Sequence, residues 1–353
     1  MTAKTLRSIA DLASAQLVTA EQAGTLQPVA TKYAIAIPAA IADMIDRGRR
    51  NDPIALQYVP DVRELVTNRS ENGDPIGDRQ HTPVEGIVHR YRDRVLLKVV
   101  HVCPVYCRFC FRREMVGPGH EPNLTPQALE RALAYIRERG EIAEVILTGG
   151  DPFMLASHRV AALTQALAGI PHVQRIRWHT RIPVVEPHRV TAEFVAALKS
   201  PKAKTCVALH ANHQSEFTPQ ARRTIALLVD AGVPMLSQSV LLKSVNDDVE
   251  VLSDLMRAFV ANRIRPYYLH HGDLAPGTSH FRTTISQGKA LLGLLRARAS
   301  GLALPAYVLD IPGGFSKVNL ESEAAVEVAQ GHWRLCDDNG KWHDYFEDAS
   351  LFG

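Results

Sequence analysis

Cysteine is scarce: five residues in 353, an odd number, with Cys103, Cys107 and Cys110 in one short stretch. That usage argues against a disulfide framework and fits a reducing compartment, so a cytoplasmic location is expected. No apolar run approaches the roughly eighteen residues of a membrane span. Residues 1–17 carry Lys4, Arg7 and Asp11 and lack the continuous apolar core of a secretory leader. Neither membrane insertion nor export is expected. Lys and Arg form no long block, and 40 basic against 37 acidic residues leave a net charge of only +3, which gives no support to a direct nucleic-acid partner. The chain also lacks a Gly-x-Gly-x-x-Gly nucleotide motif, an internal repeat beyond its strand–helix period and any low-complexity tract. A hydrophobic content of 46% is enough for one large barrel-like domain with an appendage, or for two domains.

What is there is concentrated in His101 to Arg113, where the three cysteines form a Cys-x3-Cys-x2-Cys array. Zinc in so compact a loop would want a fourth Cys or His, and its usual second pair is missing. Thiolates also favour iron–sulfur clusters, and a cubane held by three cysteines leaves one iron open to an outside ligand. Three buried free cysteines are the alternative. Arg108, Arg112 and Arg113 interleave the array and argue against an apolar core segment.

Along the chain, residues 1–85 read as a separate region with helical patterning at Thr5 to Ala15 and Ile37 to Arg47, ending in a Gly-, Pro-, Asn- and Asp-rich loop. Residues 86–304 alternate short apolar runs with amphipathic helices, the helices at Pro126 and Pro219 having Thr125 and Thr218 as N-caps. Six such units predict an α/β fold, an open, partial (βα)6 barrel of the TIM type with its chemistry at the C-terminal ends of the strands. The cysteines, Gly149 to Asp151, Arg181, His210, Gln238 and Asp273 all fall at or near such ends. Residues 305–353 add a strand, Ala306 to Asp310, a loop Pro312 to Lys317, and a small β-hairpin formed by Trp333 to Cys336 and Trp342 to Tyr345.

The cysteine spacing resembles the signature of radical S-adenosylmethionine (SAM) enzymes, whose open iron chelates the methionine part of SAM. Gly149-Gly150-Asp151, which alone could be a tight strand-to-helix turn, resembles the glycine turn that positions SAM in those proteins. The likeness sharpens to the lysine 2,3-aminomutase family through Val88 to Leu97, Leu147 to Pro152, Arg181 to Val185, His210 to His213, Gln238 to Leu242, Pro266 to Asp273, His280 to Arg282 and Asp310 to Lys317. It runs from about Asp52 nearly to the C-terminus.

That resemblance implies a 4Fe-4S cluster on Cys103, Cys107 and Cys110, with Gly149, Gly150, Asp151, His210 and Gln238 near SAM. It further implies pyridoxal 5′-phosphate (PLP) held covalently by Lys317, with Arg90, Tyr91, Arg94 and Arg181 around the PLP phosphate. Arg112 would clamp the α-carboxylate of L-lysine, a task suited to a planar guanidinium fork. Asp273 and Asp310 would hold its ε-ammonium, two carboxylates that need a cation between them. Taken singly, Lys317 could be a surface cation and either aspartate a helix cap. The implied reaction interconverts L-lysine and β-lysine by 1,2-amino migration through a 5′-deoxyadenosyl radical, with an unidentified one-electron donor. Only Cys206 and Cys336 lie outside the cluster loop, so no structural zinc of the kind found in longer family members is expected. The chain's shortness resembles the branch that supplies (R)-β-lysine for elongation factor P, whereas Asp310 and the Pro312-Gly-Gly loop resemble the free-lysine mutases. Rival readings are an aminomutase acting on another amino acid, and a non-catalytic iron–sulfur or zinc protein.

Overall fold

A computed structural model describes residues 4–116, 121–347 and 351; the outermost residues of the expected N- and C-terminal regions lie outside the described residues. The chain opens with α1 (Ile9–Ser14), α2 (Ala20–Lys32), α3 (Ala39–Met44) and α4 (Pro53–Tyr58). Ser8, Thr19 and Asp52 start α1, α2 and α4, their side chains accepting from backbone amides of the first turn that have no partner within the helix. The sequence patterning found the first and third of these helices but not α2, whose Pro28 interrupts an otherwise helical stretch.

The barrel begins with β1 (Ile87–Tyr91) and β2 (Arg94–Val100), an antiparallel pair. There follow α5 (Pro126–Arg137), β3 (Glu144–Gly149), α6 (Ser157–Ala168), β4 (Arg175–Thr180), α7 (Ile182–Val185), α8 (Ala192–Ala197), β5 (Lys204–His210) and α9 (Pro219–Asp230). Next come β6 (Met235–Val240), α10 (Val249–Ala261), β7 (Ile264–His270), α11 (Ile285–Arg298), β8 (Ala306–Asp310) and β9 (Lys317–Asn319). Among the described residues these strands make one nine-stranded sheet in sequence order. Strands β2 to β8 run parallel, and antiparallel β1 and β9 finish the two edges. The result is a curled half-barrel with helices outside, as the strand–helix alternation predicts. Thr125 and Thr218 cap α5 and α9, accepting from Ala128 N and Ala221 N, each at 3.2 Å.

Two-residue periodicity decides what enters the barrel. On β4, Ile176 and Trp178 are buried in the apolar core, while Arg177 and His179 line the interior cavity. On β3, Val145 and Leu147 lie in the core and Glu144, Ile146 and Thr148 line the cavity. The expected C-terminal hairpin is present as β11 (His332–Cys336) and β12 (Trp342–Phe346), but β10 (Ala325–Ala329) pairs with β11 and widens it to three strands.

The sheet edges approach through loops. Gly77, at φ +66°, packs so closely on the loop between β8 and β9 that a Cβ there would stand 2.5 Å from the carbonyl carbon of Gly313. The N-terminal region also grips the cysteine loop. Tyr106 N donates to Ala36 O at 3.1 Å, Arg108 N to Gln57 O at 2.8 Å, and Arg108 Nη1 to Ala34 O at 2.8 Å. Glu64 receives both Arg108, through Nε at 2.9 Å, and Arg113.

Candidate active site

Every site residue singled out from the sequence lines a single cavity of about 710 Å³ inside the half-barrel. At one end lies the loop after β2. Cys103, Cys107 and Cys110 are free thiols there. Burial pushes all three upward, Cys107 to about 12, so they would be protonated without a metal to displace the proton. The Gly149-Gly150 turn, at the end of β3, is pressed against the strand that delivers this loop. Gly150 N donates to Val100 O at 2.6 Å, and a Cβ on Gly150 would stand 2.2 Å from Val102 O. The close approach that requires glycine here is to the chain itself. Asp151 is committed to the scaffold: its carboxylate accepts from Thr180 Oγ1 at 2.8 Å, Arg181 N at 2.7 Å and Phe153 N at 3.0 Å. Burial raises it to about 6 even so.

The floor between the two ends carries imidazoles. His210 and Gln238 are register partners on β5 and β6, and the rings of His179 and His210 lie 5.7 Å apart. Burial, with Arg181 and Arg112 adding to it, pushes His210 down to about 3, so it is neutral at physiological pH.

At the far end, Lys317 on β9 faces its register partner Asp310 on β8 and donates to its carboxylate. His270 Nδ1 lies 3.5 Å from Lys317 Nζ, and the Tyr268 ring centroid 5.4 Å from it. Burial alone would raise Asp310, but the Lys317 cation, with Arg90 behind it, prevails and holds it low. Asp273 goes the other way, pushed up by burial and by the Asp310 carboxylate. Arg90 reaches Asp310 Oδ1 at 3.3 Å and Ile76 O at 2.5 Å, and the Arg94 guanidinium lies 4.0 Å from the Tyr91 ring centroid.

Residues 97–256 match the radical SAM superfamily. Over 297 residues the chain is 38% identical to the L-lysine 2,3-aminomutase of Clostridium subterminale, covering 84% of this chain and 71% of that protein. The chain belongs to the lysine 2,3-aminomutase family. The L-lysine 2,3-aminomutase of Fusobacterium nucleatum is 38% identical over 274 residues, 78% of this chain but 64% of its own length, so the chain spans less than two thirds of that relative. A radical SAM methyltransferase from Sphaerobacter thermophilus superposes with a TM-score of 0.43 at 22% identity, over 63% of this chain and 68% of that structure.

Membership in the lysine 2,3-aminomutase family implies a 4Fe-4S cluster and SAM, and the residues present fit them. The donor set is three free thiols on one cavity wall. His179 Nε2 and Arg181 Nε, on neighbouring lining residues, are buried polar atoms with no hydrogen-bond partner among the described residues. One expectation for the lysine 2,3-aminomutase site is not met by the geometry. Arg181 does not join Arg90, Tyr91 and Arg94 in a common cluster. Its Nη2 donates to Glu216 Oε2 at 2.6 Å and Tyr58 OH at 2.8 Å, and its guanidinium lies 5.4 Å from the ring centroid of Phe109, inside the cysteine loop. The physical reason is that a buried guanidinium follows its counter-ion, and Glu216 is on that side.

Sequence reasoning also missed the carboxylates that organise the site: Asp78, Glu64 and Glu216. A signal existed. Three arginines in one buried loop require acidic partners from elsewhere, and residues 61–78 are rich in them.

Proposed function

We propose that the chain is a radical SAM, PLP-dependent aminomutase that interconverts L-lysine and β-lysine by 1,2-amino migration. The observation that carries this reading is the opening of the three-thiol loop and of the Lys317–Asp310 pair onto one cavity. When bound, the cluster with SAM supplies hydrogen-atom abstraction and PLP carries the migrating nitrogen. Lys317, close to His270, which burial keeps neutral, and backed by Asp310, is the amine available for covalent attachment of PLP, with Arg90, bound to Asp310 at 3.3 Å, and Tyr91 and Arg94 lining the same cavity as phosphate contacts. Arg112 presents a guanidinium to the cavity for a carboxylate, and the buried pair Asp273 and Asp310 asks for a cation, which suits the far amine of a diamino acid. His210, Gln238 and the Gly149 turn line the wall between these residues and the thiols, where SAM belongs. Gly77, whose neighbour Ile76 lines the cavity, packs directly on Gly313 of the loop that leads to Lys317.

The reading places the protein in the cytoplasm, with a one-electron donor as partner. The test is anaerobic incubation with SAM, PLP, dithionite and L-lysine. β-Lysine is the expected product; isomerisation of a different amino acid in its place overturns the lysine assignment. Chiral analysis then separates the uses: an (R) product supports supply for elongation factor P modification.

A further inference from the structure

Arg181 follows directly on β4 and is tied to the cysteine loop from two sides. Its backbone amide donates to Asp151 Oδ2 at 2.7 Å, and Asp151 N in turn donates to Val102 O at 3.0 Å, at the entry to the cysteine loop. Its guanidinium is bound by Glu216 at 2.6 Å, Tyr58 OH at 2.8 Å and Gln57 Oε1 at 3.4 Å. The backbone oxygen of that same Gln57 accepts from Arg108 N, between Cys107 and Cys110, at 2.8 Å. Phe109, one residue further on, presents its ring to the guanidinium at 5.4 Å. Two separate tethers therefore fix this cation against the loop that carries the thiols.

The arrangement has little reason to exist as a fold device alone. A buried ion pair is seldom a net gain in stability over apolar packing. Glu216 already has work without Arg181, since its Oε1 accepts from Asn212 N at 2.6 Å and His213 N at 2.9 Å. Arg181 is the group that brings a positive charge to this part of the cavity wall, against Phe109 between Cys107 and Cys110.

We propose that Arg181 is the cation that sets the reduction potential of the cluster on Cys103, Cys107 and Cys110, with Glu216 limiting the effect. The inference rests on the radical SAM reading of this loop. One electron passes from an external low-potential one-electron reductant to the cluster; the reductant is oxidised, the cluster gains one negative charge, and a fixed positive charge beside it favours that gain. Arg181 acts through the cluster and not on the substrate, so it is a positioning residue. A guanidinium suits the task because it cannot shed its charge by losing a proton.

The test is a redox titration of the anaerobically reconstituted protein, read by the electron paramagnetic resonance signal of the reduced cluster, together with iron and sulfide content. Arg181→Gln is expected to shift the reduction equilibrium at least tenfold against the reduced form, about 59 mV for one electron. Glu216→Gln is expected to move it the opposite way, and Arg181→Lys to stay near the unaltered protein. Unaltered potentials in both Arg181→Gln and Glu216→Gln, with iron retained, overturn the proposal and leave the radical SAM reading intact. Loss of iron in Arg181→Gln that Arg181→Lys restores supports a requirement for the cation. Equal loss in both variants assigns Arg181 a structural role and overturns the proposal. An unaltered protein that holds no iron and sulfide overturns the proposal and the radical SAM reading together.

Discussion

Arg112 turns two nitrogens, Nε and Nη2, onto one oxygen of Asp78, at 3.1 and 3.0 Å. The same carboxylate, 1% exposed, faces Arg90 at 3.5 Å and Lys98 at 3.9 Å. Burial works to raise it, but Arg112, Lys98 and Arg90 together hold it below the ordinary carboxylate range. Arg90 continues to Asp310, and Asp310 to Lys317. Charges thus alternate along one wall, from the arginine assigned to the substrate carboxylate to the lysine assigned to PLP.

Removing the charge at Asp78 should break this series at its most buried member. Asp78→Asn leaves three cations without their common partner, an expected loss of about 3–5 kcal/mol by urea unfolding. Because the folded carboxyl is held low, the stabilisation it gives is present above the unfolded value near ~3.9 and disappears as pH falls through the folded one. Arg112 also loses the contact that aims its fork, so KM for L-lysine is expected to rise about tenfold, equivalent to ~1.4 kcal/mol. An Asn variant with unchanged KM would show that Arg112 is aimed by something else.

Glu64 is expected to matter to the cluster although it does not line the cavity. Fully buried, it takes Arg108 and Arg113 from the cysteine loop, and the Arg113 guanidinium also lies 3.6 Å from the Tyr33 ring centroid. Glu64→Gln keeps the shape and removes the charge. Expected are a loss of about 3–5 kcal/mol and faster release of iron to a chelator than from the unaltered protein. Equal chelation rates would mean that the loop holds its geometry without this anchor.

How far the sequence reached depends on whether a residue's role is local. The cysteine array and the Asp310 to Lys317 stretch could be singled out because their spacing or motif is contiguous, and the fold lines one cavity with them. The barrel was legible because its period repeats. Asp78, Glu64 and Glu216 were not, since their partners lie far along the chain: Glu64 meets Arg108 and Glu216 meets Tyr58 only after folding. Arg181 was assigned to the PLP phosphate, and its partners Glu216, Tyr58 and Gln57 were not legible for the same reason. Strand β10 was missed although Ala325-Val-Glu-Val-Ala329 alternates with a strand period; its exposed Val326 and Val328 carry no burial signal.

The pH response of the fold should show one histidine clearly. His271 is 2% exposed, its Nδ1 lies 2.7 Å from Tyr307 OH, and burial together with Arg282 pushes it down to about 3. The unfolded chain takes up that proton near ~6.5, so between there and about 3 the unfolded state binds more protons and stability falls with falling pH. Between pH 7 and pH 5 this one group is expected to remove about 2 kcal/mol, and His271→Gln should flatten the urea-derived profile by that amount. A profile unchanged by the substitution would place the proton uptake elsewhere.

Lys317 allows its two roles to be separated, as partner of Asp310 and as the amine that binds PLP. Lys317→Arg keeps a cation opposite Asp310, so the fold should hold within about 1 kcal/mol, yet a guanidinium that stays protonated cannot attack the cofactor aldehyde. Lys317→Met removes both functions and leaves Asp310 with Arg90 at 3.3 Å and His270 at 3.8 Å, at an expected loss of ~1–3 kcal/mol. In neither variant should borohydride reduction in the presence of PLP attach the cofactor to the peptide carrying residue 317, whereas the unaltered protein should be labelled there. Aminomutase activity should fall below detection in both, with iron and sulfide at the unaltered level, because the thiols lie at the other end of the cavity. Labelling of a different lysine in the unaltered protein would move the PLP site and remove the main support for an aminomutase.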